Sequence, residues 1–155
     1  MSNLKFMNRA IELSISNIKN KGGPFGCVIV KNNEIIAEGV NQVTLNNDPT
    51  AHAEIVAIRK ACEIEKAFNL SDSELYTSCE PCPMCLSAIY WSHIDKIYFG
   101  NSREDAAKIN FDDKFIYDEF KVSMSHRKIP IIQLCRDEAI MAFKEWEEEV
   151  NKIIY

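Results

Sequence analysis

The sequence predicts a three-layer α/β/α domain, with a mixed, mostly parallel five-stranded sheet and helices on both faces. Two observations favour this class. Helical and strand-like segments alternate along the chain after an early hairpin pattern. The 155 residues are 46% hydrophobic and contain only five glycines and five prolines, which is enough apolar material for one domain with a full core. We therefore expect residues 1–155 to form a single domain.

The first half of the chain contains a helix, a hairpin and a second helix. An apolar residue recurs every three or four positions and predicts an amphipathic helix that ends at Gly22-Gly23; these residues are Leu4, Met7, Ile11, Ile15 and Ile18. Two apolar runs, 27–30 and 35–37, flank a polar turn and predict an antiparallel hairpin. The second helix is predicted from about Pro49 to Glu65.

The second half alternates strands and helices. A strand is predicted near residues 75–78 and is followed by a cysteine-containing helix that runs to about Ser92. The next predicted segments are a strand at 96–99, a helix at 104–109, a fifth strand at 131–134 and a final helix at about 137–152.

The most informative motif pairs His52-x-Glu54 with Pro81-Cys82-x-x-Cys85. Cysteines three positions apart lie on one face of a helix. His52 and Glu54 would point about 200° apart in a regular helix, so they are expected at a helix entry, where the dihedral angles are not yet helical. One imidazole and two thiolates leave the fourth zinc position to water, whose pKa the metal lowers to about 7. The spacing predicts a catalytic zinc site beside a carboxylate that does not bind the metal.

Other metal sites use the same cysteines. Cys79 would complete a closed structural zinc site with His52, Cys82 and Cys85, but that site leaves Glu54 without a role. The bacterial ferredoxin spacing requires a cysteine at position 89, where this chain has Ile89.

Composition bears on compartment and partners. No run of eighteen apolar residues occurs, and the first residues contain no apolar signal region, so we expect a cytoplasmic protein. In a reducing compartment, Cys27, Cys62 and Cys135 are expected to be buried thiols. The net charge of −5 and the acidic run at 145–149 disfavour a nucleic-acid partner.

Five segments together resemble the guanine deaminases of the cytidine deaminase-like fold: 24–26, 39–41, 47–54, 76–85 and 111–117. The resemblance extends from about residue 4 to Tyr155, and the Phe-Asp-Asp-x-Phe-Ile segment at 111–116 is typical of the guanine and guanosine branch. It implies one Zn²⁺ per chain, held by His52, Cys82 and Cys85, and hydrolysis of guanine to xanthine and ammonia. Glu54 would take a proton from the attacking water and deliver it to the purine ring.

The resemblance also implies the residues that hold the substrate. Phe25 would pack on the purine face, Asn41 would hydrogen-bond the base, and the backbone N–H of Ala53 would meet an acceptor. Asp113 would accept hydrogen bonds from the guanine N1–H and amino group. Tyr155 would close the pocket, in its own subunit or in a partner subunit. Without the resemblance, Asn41 is typical of a turn and Tyr155 of a frayed chain end.

Alternative functions remain open at this level. A guanosine or other nucleoside deaminase would share the segment at 111–117, and a tRNA adenosine deaminase would share the zinc motif. A zinc-stabilised interaction module without activity is the non-enzymatic alternative. We expect a small-molecule purine substrate and a homodimer, with the segment of about 137–155 packed on the partner.

Overall fold

The computed structural model describes residues 2–155. Its helices are α1 (Ser2–Lys19), α2 (Val43–Asn46), α3 (Ala53–Glu65), α4 (Pro83–Trp91), α5 (Arg103–Lys108), α6 (Lys114–Lys121) and α7 (Arg136–Glu148), with a short 3₁₀ helix at Met124–His126. Its strands are β1 (Gly26–Lys31), β2 (Glu34–Val40), β3 (Ser73–Cys79) and β4 (Lys96–Asn101). The α/β class is confirmed.

Within residues 2–155 the sheet has four strands, in the order β2-β1-β3-β4. The predicted fifth strand at 131–134 is wrong, because that segment pairs with no strand in the described chain. The expectation that most neighbouring strands are parallel is also wrong. The hairpin places β1 next to β3, so β1 is antiparallel to both neighbours and β3–β4 is the one parallel pair in this sheet.

Helices cover both faces of the sheet, as predicted. On one face, Phe6 of α1 packs with Val28, Val30 and Tyr76. On the other face, an alanine row of α3 and Ile89 of α4 pack on Ile29 and Leu75. A row of alanines lets α3 approach the strands closely, because no long side chain separates the two backbones.

Four of the five residues in the predicted apolar stripe of α1 face away from the sheet, whereas Met7 is partly buried against it. Leu4, Ile15 and Ile18 are each more than half exposed, whereas Phe6 and Ala10 are buried. A Cβ added to Gly26 would lie only 2.4 Å from the Ala10 carbonyl oxygen, so the helix backbone itself contacts β1. Close approach therefore selects small residues on the buried face, which a search for large apolar residues does not detect.

The strand directions bring four connections to one edge of the sheet. Because β2, β3 and β4 run in the same direction, their carboxyl ends lie together, and β1 begins at the same edge. The backbone N–H of Asn41, after β2, donates to the carbonyl of Phe25, before β1, at 3.2 Å. After β3, Glu80 N–H donates to the Asn101 carbonyl at the end of β4, at 2.8 Å.

Helix α5 has a complete N-terminal cap. The Ser102 side chain accepts from the Asp105 backbone N–H at 3.3 Å, and the Asp105 carboxylate accepts from the Ser102 N–H at 3.2 Å. Such a reciprocal pair satisfies two of the unpaired donors at a helix start.

The chain divides into two compact units, one up to Asp113 and one from Lys114 to Tyr155. The first unit holds the sheet and helices α1–α5. The second holds α6, the 3₁₀ helix and α7 and exposes many large apolar side chains, among them Phe120, Ile132, Leu134, Phe143, Val150 and Ile154. None of the described helices is long and apolar enough to span a lipid bilayer.

Candidate active site

His52, Cys82 and Cys85 meet where α3 and α4 begin. Their potential ligand atoms all lie within 4.8 Å of one another, although His52 precedes Cys82 by thirty positions in sequence. The Nδ1 atom of His52 is 3.5 Å from each of the two sulfurs. The fold thus brings together one imidazole nitrogen and two sulfur atoms, as the motif predicts.

The helix entries place these three side chains. His52 is the N-cap of α3 (φ −70°, ψ 159°) and Cys82 is the N-cap of α4 (φ −65°, ψ 167°), so both have the extended backbone expected before the first turn. Neither side chain caps its own helix, and both point into the ligand group instead. Pro83 occupies the first turn of α4, where a missing N–H has no consequence.

The two thiols differ in their protonation. The pKa of Cys82 is lowered because Cys85 donates a hydrogen bond to its sulfur and because His52 lies beside it. The pKa of Cys85 is raised because it is the donor in that pair, is buried and lies near the Glu54 carboxylate. The pKa of His52 is raised mainly by its hydrogen bond to Cys82. A negative charge is therefore already favoured at the ligand group.

Glu54 lies in the first turn of α3, beside the ligand group, and only 6% of it is exposed. Thr77 Oγ1 donates to Glu54 Oε1 at 3.0 Å, and Cys85 Sγ lies 3.4 Å from Oε2. Burial raises the pKa of Glu54, and the hydrogen bonds that the carboxylate accepts offset this in part. A carboxyl with a raised pKa is suited to both taking and giving a proton near neutral pH.

Cys79 does not join the ligand group. Its sulfur lies 3.7 Å from the Ser102 carbonyl oxygen, at the start of α5, and the set of clustered donors contains His52, Cys82 and Cys85 without it. Burial raises the pKa of Cys79 to about 11, so its thiol stays protonated. This geometry disfavours the closed four-ligand site.

Three of the predicted substrate residues lie at the same edge of the sheet. Phe25 is half-buried and contacts Phe111 edge to face, with ring centroids 5.0 Å apart. Asn41 is buried, and its Oδ1 accepts from Val43 N–H at 3.3 Å. Ala53 is the first residue of α3, where a backbone N–H has no partner within the helix.

The remaining candidates lie at or beyond the end of the first unit. Asp113 is half-buried; its pKa is raised by burial and then by the negative charge of Cys82. Asp112, beside it, is exposed. Tyr155 belongs to the second unit and is 72% exposed. The remaining cysteines are only partly as predicted, because Cys27 is buried but Cys135 is exposed.

Comparison with known proteins agrees with this site. The family model described as the cytidine and deoxycytidylate deaminase zinc-binding region matches residues 1–101. The chain belongs to the cytidine and deoxycytidylate deaminase family. The family's zinc-binding region includes all three clustered donors, and one nitrogen with two sulfurs is a donor set typical of zinc.

Within this deaminase family, the chain resembles some members over its whole length. It is 48% identical to guanine deaminase of Bacillus subtilis, with all of both chains covered. The crystal structure of guanine deaminase from that organism superimposes with a TM-score of 0.97, covering 100% of this chain and 99% of that one. A tRNA-specific adenosine deaminase of Buchnera aphidicola is 42% identical over 112 residues, which cover 71% of this chain and 65% of the relative.

Sequence reasoning missed two polar residues of this deaminase fold that contact the site. Asn17 is buried in α1 and donates from Nδ2 to the carbonyls of Gly23 and Asn41, both at 2.8 Å. Thr77 is buried in β3 and donates to Glu54. Asn17 had no usable signal in the sequence, because the large apolar residues of α1 mark a different face of the helix from the one that is buried. A threonine within a strand gives no signal either, because threonine is common in strands.

Proposed function

We propose that this protein is a zinc-dependent guanine deaminase, which hydrolyses guanine to xanthine and ammonia. The observation that carries the proposal is the buried Glu54 carboxylate beside the group formed by His52, Cys82 and Cys85. Full-length similarity to guanine deaminase of Bacillus subtilis supports guanine as the substrate.

His52, Cys82 and Cys85 would hold one zinc ion through one nitrogen and two sulfur atoms. When bound, zinc lowers the pKa of a coordinated water to about 7 and so supplies a nucleophile at neutral pH. The positive ends of the α3 and α4 dipoles, which meet at this group, favour the thiolate forms of both cysteines.

Glu54 moves the protons of the reaction. It takes one from the attacking water as the C–O bond forms at C2 of guanine, and it delivers one to the adjacent ring nitrogen. Glu54 then moves a second proton from the new C2 hydroxyl to the exocyclic nitrogen, so that the C2=O bond forms as the C–N bond breaks and ammonia leaves with its electron pair. Burial supports this role, since it raises the pKa of Glu54 above its ordinary value and so favours a group that both takes and gives protons.

Groups at the sheet edge orient the base. Phe25 packs on the purine face, the Asn41 amide and the Ala53 backbone N–H donate to its acceptors, and Asp113 accepts from N1–H and the amino group. Adenine has no N1–H and no amino group at C2, so it would leave the Asp113 carboxylate unpaired in a desolvated pocket. Unpaired polar groups of this kind produce strong discrimination between substrates.

A tRNA adenosine deaminase is the second candidate, because one such enzyme is 42% identical over 71% of this chain. The charge distribution argues against it. The chain carries a net charge of −5, and its last helix ends in an acidic run that would repel a phosphate backbone.

Ammonia release from guanine, guanosine, adenine, cytosine and a tRNA anticodon stem, measured side by side, tests the proposal. Guanine is expected to be the preferred substrate; faster turnover of guanosine or of the tRNA would replace the assignment. Glu54→Gln is the matched control. It is expected to keep the fold and zinc but to lose roughly 10²–10⁴-fold in kcat, because an amide cannot carry protons.

The assembly we propose is a homodimer in which residues from about 137 onward pack on the partner. Exposed apolar side chains of the second unit support this, because monomeric proteins rarely expose so many. The edge strand β4 of the first unit also exposes Phe99.

Mixing Glu54→Gln with a chain that lacks Tyr155, at guanine concentrations well below KM where both variants turn over slowly, tests whether Tyr155 acts in the partner's pocket. Chains carrying Glu54→Gln would supply Tyr155 to chains that lack it. If Tyr155 crosses the dimer, refolding the two variants together restores activity in the mixed dimer. No gain over the separate variants would assign Tyr155 to its own subunit, and sedimentation as a monomer would refute the dimer.

A further inference from the structure

Thr77 lies at the centre of the sheet, directly below Glu54. It belongs to β3, where its Cα is paired with Cys27 of β1 on one side and with Phe99 of β4 on the other. Only 1% of Thr77 is exposed. A residue hydrogen-bonded through its strand to two neighbours has a fixed backbone, and a β-branched side chain has few rotamers. The direction of the Thr77 hydroxyl is therefore well defined.

The two oxygens of Glu54 have different surroundings. Oε1 accepts the hydrogen bond from Thr77 Oγ1 at 3.0 Å, while Oε2 lies 3.4 Å from Cys85 Sγ, on the side of the ligand group. One oxygen is thus hydrogen-bonded to the sheet, and the other faces the ligand group.

The carboxylate needs such an attachment. The terminal torsion of a glutamate is broad and has no strong preference of its own, so the plane of the carboxylate is set by its partners. Cys27, across β1 from Thr77, is a buried thiol whose pKa is raised by burial and by Glu54, so it stays protonated and offers no fixed charge. Among the described side chains, the Thr77 hydroxyl is the donor that links Glu54 to the sheet.

We propose that Thr77 is a positioning residue for the deamination, one that holds Oε1 of Glu54 so that Oε2 is presented to the transferred protons. The inference rests on the function proposed above, because it gives Thr77 a role in that reaction. It does not require Thr77 to touch the substrate or the metal.

Thr77→Val removes the hydroxyl and keeps the shape. Since a hydrogen bond to a charged group is lost, kcat for guanine is expected to fall roughly 10- to 100-fold, with KM changed less than about threefold and zinc content unchanged. Ser73→Ala is the matched control. Ser73 lies on the same strand and face, is fully buried, and its Oγ has no hydrogen-bond partner in the part of the chain that the structure describes, so its loss is expected to leave kcat unchanged.

A second pair of variants separates the effect of the Thr77 hydroxyl on kcat from the effect of its methyl group on packing. Thr77→Ser and Thr77→Ala both lose the methyl group and differ only in the hydroxyl. Thr77→Ser is expected to retain kcat within about threefold of the original protein, and Thr77→Ala to match Thr77→Val. Equal kcat in the Ser and Ala variants would overturn the proposal, and this comparison also decides the question if Thr77→Val fails to fold or to retain zinc.

A readout independent of activity comes from urea unfolding of the zinc-loaded protein. Thr77→Val is expected to lower the unfolding midpoint when Glu54 is present and to have no such effect together with Glu54→Ala, because the hydrogen bond is then already absent. Additive effects would refute the contact. If the unaltered protein releases no ammonia from guanine, the proposed function fails, whereas normal kcat in Thr77→Val refutes the positioning role alone.

Discussion

Gly39→Ala is expected to disturb both the fold and the site, because β2 contacts α3 through this glycine. A Cβ at position 39 would lie 2.0 Å from the Ala53 carbonyl oxygen and 2.6 Å from the Ala57 backbone nitrogen. Both atoms belong to the helix backbone, so no side-chain rotation relieves the overlap. Helix α3, which follows His52 and carries Glu54, has to move away from the sheet.

The size of the effect follows from these distances. A contact of 2.0 Å is 1.4 Å inside the 3.4 Å at which ordinary van der Waals contact begins. Overpacking of this severity is at the upper end of the usual range, so we expect a loss of about 3 kcal/mol. For a chain of this size, that loss lowers Tm by roughly 6–12 °C. A shift of α3 by about 1 Å is also expected to cost on the order of 100-fold in kcat.

Thermal unfolding, zinc content and guanine turnover measure the effect. Gly100→Ala is the matched control on β4, because its nearest contact is the Ser78 carbonyl oxygen at 2.9 Å and its next is at 3.6 Å. We expect it to lose about 1 kcal/mol, at the lower end of the usual range, because one backbone atom has to shift by much less than at Gly39. If the free energy of unfolding of Gly39→Ala is within about 1 kcal/mol of that of the original protein and kcat is unchanged, α3 does not lie as close to β2 as described.

Three further predictions test the proposed roles. Cys82→Ser is expected to weaken zinc binding roughly 100-fold, because the loss of one ligand removes about a quarter of the binding free energy. Cys79→Ser is expected to keep the metal. If metal analysis shows equal zinc loss in the two variants, the closed site is favoured. Asp113→Ala is expected to lower kcat/KM for guanine roughly 100-fold and Asp112→Ala less than about threefold, so equal losses would show that the segment acts through its fold. Deleting Tyr155 is expected to raise KM for guanine roughly tenfold and to change Tm by less than about 1 °C. Unchanged kinetics would show that Tyr155 is an ordinary chain end with no role in the pocket.

The site was predictable because its residues form short motifs with fixed spacing. The interval between Cys82 and Cys85 implies one helix face, and the interval between His52 and Glu54 implies a helix entry. The structure has both, and it brings the His52 nitrogen to the two sulfurs. The roles of Glu54 and of the substrate residues stay predictions, since no substrate tests them.

The predictions of the fold fail where a local sequence pattern does not determine which other segment a strand or helix packs against. Residues 131–134 have the composition of a strand, but a strand requires a neighbour, and none is present in the described chain. In α1, the large residues Leu4 and Ile15 suggested the buried face, yet the helix packs through Ala10 against Gly26. Both outcomes depend on contacts between segments that are distant in sequence.

The starts of α3 and α4 have a consequence for how the protein can evolve or be engineered. Ser102 caps α5 with a hydrogen bond, but His52 and Cys82, at the equivalent positions, make none. A good N-cap contributes about 1 kcal/mol, and both α3 and α4 lack that contribution. Under zinc-free conditions, a screen that selects heat resistance alone is expected to favour serine or aspartate at both positions. Such variants would outlast the parent in the screen and would have lost the metal centre.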